Sequence, residues 1–319
     1  ALNQLGSFLA HSGRDHPRGI ALLDDSLSKY RELGDDFAAA RLLDDIAFGY
    51  SLTDQVKRLS YGRQSLELRR RIGDQIGVAK VLRNLSIAAV WIGRPREARS
   101  YLEEALYIAR QMRDLNSIGW MVSLQAEDSL LRGHFAESQA QVEEAYQIGQ
   151  EINAIDLMNN CRIVSSLQYA IIEGDYSRAR QVLLEIHPPI TEEDMLWWGF
   201  TAQALVACGL DEFAEARNAI QSALAMMVKT GVSLAAWPQF MPVVAIVLFQ
   251  GGQPNFAAEC LGYFYYLRGD VVAWGGQWGL LSRLRVDLEN TLGQEAYESA
   301  LERGKTISIE AVLAQFGAP

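Results

Sequence analysis

Few side chains in this 319-residue chain could do acid–base, metal or nucleophilic chemistry, and their spacing does not suit it. The four histidines, His11, His16, His134 and His187, are scattered, and none stands with another His or Cys at metal-ligand spacing. A zinc-type centre needs three or four convergent ligands, so His134 and His187 read as turn residues. Cys161, Cys208 and Cys260 fall on apolar faces without an adjacent base to hold a thiolate. Cys208 and Cys260 read as buried. The acidic pairs Asp24–Asp25, Asp44–Asp45, Glu103–Glu104 and Glu192–Glu193 are sequence neighbours. Neighbours on a helix point about 100° apart and do not share a proton. No G-x-S-x-G elbow occurs, and none of the five lysines completes a G-x-x-x-x-G-K-[ST] phosphate loop. The expectation is a chain that is not an enzyme, with no catalytic residue, no metal and no cofactor.

Composition narrows the class further. Apolar residues make up 49% and charged residues 21%, which is globular composition. The net charge of −10 argues against nucleic acid, whose phosphates select for excess Lys and Arg. The longest apolar run, Met241 to Phe249, covers about half of a membrane span, so no membrane partner is expected. An odd number of widely spaced cysteines implies no disulfide framework and fits a reducing, cytoplasmic setting. No secretory signal pattern is visible. Helical patterning is already under way at Ala1, as expected of a piece of a longer polypeptide.

The elements that must position any site come from an internal repeat. The segments GRPREARSYLEEAL from Gly93, RGHFAESQAQVEEAY from Arg132, EGDYSRARQVLLEI from Glu173, GLDEFAEARNAIQSAL from Gly209 and GGQPNFAAECLGYF from Gly251 are copies of one turn-plus-helix pattern. TDQVKRLSYGRQSLEL from Thr53 and HPRGIALLDDSL from His16 are degenerate copies. A small anchor residue, meant to tuck against a neighbouring helix, falls at Gly19, Arg58, Ala98, Ser138, Ala179, Ala216 and Ala257. Arg58 is the poor match. Successive anchors lie 39, 40, 40, 41, 37 and 41 residues apart. In the third copy, Val78, Leu82, Leu85, Ala89 and Ile92 recur four and three apart, the spacing of one helix face. Gly93-Arg94-Pro95 makes a turn, with Pro95 suited to the first position of the next helix. That helix carries a buried stripe of Leu102, Ala105, Leu106, Ala109 and Met112. Gly73-Asp74, Gly34-Asp35 and Arg113-Asp114 read as paired C-cap and N-cap devices between units. No segment alternates with period two, so strands are not expected.

This pattern resembles the tetratricopeptide repeat, with its usual period of about 34 residues lengthened by longer helices and turns. HEAT and armadillo repeats share the longer period and remain the structural alternative. The resemblance implies an all-α fold, a right-handed α-solenoid of about seven helix pairs with a C-terminal helical cap. The expected pairs occupy about 1–35, 36–73, 74–114, 115–153, 154–190, 191–230 and 231–270, with capping helices over 271–319. The tail resembles the ending of bacterial STAND-class signal-transduction ATPases, including LuxR-type and AfsR-like regulators. Leu292-Gly293, Ala296-Tyr297, Gly304 and Ile307-Ser308-Ile309-Glu310-Ala311-Val312 carry that likeness. In that family the repeats form the sensor or partner-binding arm behind a nucleotide-binding switch, which this chain lacks within its length. The function implied is a non-catalytic protein- or peptide-binding sensor or scaffold arm of a larger regulator. Alternative readings are a peptide-pheromone-receptor-like binding domain and a self-association module.

In stacked tetratricopeptide units the first helices line a groove. Alignment on the anchors places Arg41, Asp44, Phe48, Lys80, Arg83, Asn84, Ile87, Trp120, Ser123, Glu127, Gln168 and Trp198 in it, facing a peptide, a protein or another domain of the same polypeptide. Asn84 resembles the asparagine with which long-repeat tetratricopeptide adaptors pair to a peptide backbone, and an amide offers both donor and acceptor. Lys80 and Arg83 beside it could hold a carboxylate. The bland alternative is an amide that caps or solvates a helix. Residues 57–113 carry 13 Lys+Arg against 5 Asp+Glu, either a docking zone or a salt-bridged face with Glu67 and Glu103 as partners. Trp197, Trp198, Trp237, Trp274 and Trp278 cluster late, either as core or as an apolar pocket. His187-Pro188-Pro189 interrupts a helix, and the stretch to Glu192 is expected to be a hinge or a loop over the groove.

Overall fold

The computed structural model describes residues 2–11, 15–52, 54–187, 197–230, 240–266 and 270–317. Among these residues every regular element is a helix and none is a strand, as an all-α repeat array requires. The helices come in pairs. The first three are α1 (Leu2–His11) with α2 (His16–Glu32), α3 (Asp36–Gly49) with α4 (Gln55–Ile72), and α5 (Gln75–Trp91) with α6 (Pro95–Met112). Next come α7 (Leu115–Leu131) with α8 (Phe135–Glu151) and α9 (Ile155–Gln168) with α10 (Tyr176–Leu184). Then follow α11 (Trp197–Gly209) with α12 (Phe213–Thr230) and α13 (Phe240–Gln250) with α14 (Pro254–Tyr266). Three short helices close the chain: α15 (Gly279–Leu292), α16 (Gln294–Gly304) and α17 (Ile309–Phe316). Pro188 to Glu192, where a hinge is expected, lies outside the described residues, as do Trp237 and Pro189.

The punctuation of the sequence explains the boundaries. Gly34 and Gly73 stop α2 and α4 at φ of 69° and 73°, a left-handed conformation that costs glycine little. Asp35, Asp74 and Asp114 then start the following helices, their side chains accepting the backbone N–H of Ala38, Gly77 and Ser117. Pro95 occupies the first turn of α6. At Tyr169–Glu173 the chain leaves α9 through a π-turn, which takes up an extra residue where the anchor spacing rises to 41.

The chain forms two compact units, the first over residues 1–121 together with 228–236, and the second over residues 122–227 and from 237 onward. In the first, Leu23, Leu43, Ile46, Leu82 and Leu85 are fully buried. The second is built on Leu205, Val244, Leu261, Phe264, Trp274 and Trp278. The late tryptophans Trp274 and Trp278 are therefore core, with ring centroids 5.6 Å apart and the Trp278 Nε1–H donating to the Tyr176 hydroxyl at 3.1 Å. All three cysteines are buried, and burial pushes the Cys161 thiol up to about 11 and the Cys208 thiol up to about 12. All seven anchor positions are buried, including the position held by Arg58.

In the second unit, α16 crosses α14 and α17 returns to α12. Arg217 and Gln221 on α12 donate to the backbone carbonyls of Gln315 and Phe316, both at 2.7 Å. The Arg217 guanidinium also sits 4.8 Å over the Phe316 ring. The last carbonyls of α17 are thus bonded by side chains, which satisfies acceptors that a helix C-terminus leaves open.

Candidate functional site

Eight of the twelve candidate groove residues belong to the first unit and four to the second. In the first, α3, α4 and α5 bound a small, solvent-open cleft lined by Asp44, Ala47, Phe48, Arg58, Gly62, Val81, Asn84 and Leu85. Asp44, Phe48 and Asn84 were expected to share one face, and they do meet here. Asp44 and Phe48 are four apart on α3, and Asn84 occupies the matching stretch of α5. Phe48 is 49% exposed and forms an apolar wall. The Asn84 amide has no hydrogen-bond partner among the described residues. It is half-buried, so it neither caps a helix nor lies fully in water. Arg41 and Lys80 are exposed, while Arg83, Ile87 and Trp120 are half-buried.

Asp44 lines the cleft but is already engaged within the protein. It is already bonded to Arg69, a buried arginine on α4 that also reaches Asp74 and donates from Nε to the Ser65 hydroxyl at 3.3 Å. Burial raises the Asp44 carboxyl, and the Ser65 hydrogen bond and the Arg69 charge hold it back down. Arg69 therefore ties α3, α4 and the N-cap of α5 together, and Asp44 serves the frame of the cleft.

Arg58 went unrecognised as a site residue, although the sequence marked it as the one anchor that breaks the small-residue rule. It is only 8% exposed. Its Nη1 donates to Gln55 Oε1 at 3.3 Å, and its guanidinium lies 5.7 Å from the centre of the Trp91 ring. No carboxylate among the described residues pairs with it. Desolvation pushes its pKa down to about 10, and the positive charge of Arg83 adds to the effect. Arg83 is itself held below the usual arginine range by burial, with Asp114 pulling it back. Two poorly compensated guanidinium groups and an unbonded amide thus converge on this end of the first unit.

The four candidates in the second unit are placed differently. Ser123 is fully buried and accepts a hydrogen bond from Asn160 Nδ2 at 2.6 Å. Gln168 is buried and donates to the Ser138 hydroxyl at 2.8 Å. Neither is available to a ligand. Each satisfies a polar group from a different helix, and a buried polar pair of this kind avoids the cost of lone burial. Trp198 is half-buried and already partnered.

Glu127 is held in a desolvated setting that, with repulsion from Asp128, pushes its carboxyl up to about 7. The folded chain keeps a proton there that an unfolded glutamate releases near pH 4. Stability is unaffected below that pH and falls as pH rises towards 7 and above, by up to about 3 kcal/mol. Glu127→Gln should leave the melting temperature unchanged at pH 4 and raise it at pH 8. A gain of equal size at both values would show that the carboxyl is solvated.

The basic zone of residues 57–113 is largely paired, but not with the partners expected inside each helix. Arg70 binds Glu104 at 2.6 Å and Arg63 binds Glu97, both on the neighbouring helix pair, and Arg71 binds Asp36 at 2.8 Å on the other helix of its own pair. Such exposed pairs contribute about 0–1 kcal/mol each and mask the positive field. Among the described residues no cluster of three His, Cys, Asp or Glu is arranged to hold a metal ion, and no helix is long and apolar enough to cross a membrane. The sequence matches no protein-family model and no curated protein.

Proposed function

We propose that the first unit is a recognition module for an extended peptide or protein segment, and that the chain is the non-catalytic binding arm of a larger bacterial signalling regulator working in the cytoplasm. One observation carries the reading. The half-buried Asn84 amide lines a cleft between the first helices of successive pairs and has no hydrogen-bond partner among the described residues. A free amide presents a donor and an acceptor at the spacing of a peptide unit. Phe48 beside it offers an apolar wall for a side chain. The repeat pattern and the tail's likeness to STAND-class regulators support the wider setting.

Binding can be tested by selecting peptides on the immobilised chain from a random library. Asn84→Ala should weaken the selected peptides by about 1–3 kcal/mol, because the partner's backbone group is left unsatisfied. The melting temperature should barely move, since the amide bonds nothing in the free protein. If Asn84→Ala lowers the melting temperature by many degrees and leaves binding intact, the residue is structural.

A further inference from the structure

Six of the seven repeat anchors are Gly, Ala or Ser, and the seventh is Arg58. The position demands a small side chain because it packs where helices approach closely. Ala98, Ala179, Ala216 and Ala257 fill it and are buried. An arginine there brings a charge from α4 into the wall of the cleft that α3 and α5 also line. Small residues flank it in the cleft, Gly62 one turn further along α4 and Ala47 on α3. Arg58 is only 8% exposed, yet among the described residues only Gln55 accepts a hydrogen bond from it, through one of its five N–H groups. A buried cation without an anion is a standing cost, and evolution commonly tolerates such a cost where an anion is to be bound.

We propose that the Arg58 guanidinium, with Asn84 beside it and Arg83 nearby, is a binding site for one carboxylate carried by the bound segment. This rests on the peptide-recognition reading of the same cleft. A carboxylate fits better than a phosphate. The planar guanidinium matches a carboxylate with two parallel hydrogen bonds. Asp44 on the cleft wall would repel a dianion more than a monoanion.

The test follows the Arg58 Nε–Hε NMR signal of the full chain during titration. The probes are N-acetyl-glutamate N-methylamide, its glutamine counterpart, N-acetylglycine and inorganic phosphate. A saturable shift with the glutamate probe and none with the glutamine probe is expected. A response to N-acetylglycine as well would point to a terminal carboxylate as the source, whereas glutamate alone points to a side chain. No response to either carboxylate overturns the proposal, and so does a response to phosphate at tenfold lower concentration than to glutamate. Arg58→Met keeps volume and removes charge. It should abolish the glutamate effect on neighbouring signals and raise the melting temperature. A variant that melts well below the wild type would make Arg58 a structural residue and end the proposal. The peptide selection separates the two readings. Peptides selected without enrichment of Asp, Glu or a free terminus refute the carboxylate site alone. A carboxylate response without any selected peptide refutes the peptide reading and leaves the anion site standing.

Discussion

Gly304→Ala is expected to lower the melting temperature by about 10 °C, through loss of about 3 kcal/mol or more in the second unit. Gly304 on α16 lies against the backbone carbonyl of Glu259 on α14, and Gly262 on α14 lies against the backbone carbonyl of Leu301 on α16. A Cβ at either position would fall well inside contact distance of main-chain atoms. Main chain within a helix cannot swing aside as a long side chain can, so the two helices must separate. Separation would uncover Leu261 and Ala300, both fully buried beside the crossing. Gly262→Ala should act in the same direction. Gly279→Ala is the control, because its Cβ would meet nothing and its backbone is ordinary. Its effect should stay within about 0.5 kcal/mol. Thermal unfolding of the three variants checks this, and equal melting points for Gly304→Ala and Gly279→Ala would sink the argument.

The crossing shows what the sequence made legible. Gly304 stood out in the tail, but its reciprocal, Gly262, was hidden inside an ordinary repeat copy, because only three-dimensional pairing shows which glycines face each other. The helices and their caps could be read closely, since each depends on local chemistry: Asp35, Asp74 and Asp114 act within three residues of themselves. Asp44, Phe48 and Asn84 line one cleft, whereas Ser123 and Gln168 are buried. Their partners Asn160 and Ser138 lie 37 and 30 residues away. A polar residue buried with a distant polar partner has the same local pattern as one turned to water. Arg58 was misjudged for a related reason: a repeat alignment treats a mismatch as decay, although a mismatch is also where a site departs from the frame.

Arg69→Met is expected to destabilise the first unit by about 3 kcal/mol, because it strips two partly buried carboxylates of their common cation. Arg69 is 7% exposed, and it joins Asp44 on α3 to Asp74 at the start of α5. Asp74 also accepts the Gly77 N–H at 2.9 Å, so a change at Arg69 is transmitted to the cap of α5. The arrangement needs glycine at position 77, where a Cβ would collide with the Arg69 guanidinium and the Asp74 carboxylate. Asp44→Leu alone should cost less, since Arg69 keeps Asp74. Combining it with Arg69→Met should recover part of the loss, a non-additivity expected of groups that share one network. Urea unfolding of the two single variants and the double variant measures this coupling. Strict additivity would mean that the three groups act independently. The same network frames the Asn84 cleft, so Arg69→Met should also blunt peptide selection.

The return of α17 to α12 carries a consequence for how the chain is made. The bonds from Arg217 and Gln221 reach residues 98 and 95 positions later. At a synthesis rate of about 5–20 residues per second, α12 waits roughly 5–20 s for the segment that covers it. During that interval the nascent second unit presents an unfinished apolar seam to the ribosome exit and to any chaperone in reach. Contacts this distant also slow folding, since loop closure precedes any gain from the contact. Helices α1 to α6 pair with near neighbours in sequence and have no such delay. The chain is thus assembled in two tempos, with the α3–α5 cleft formed while the last helices are still being translated.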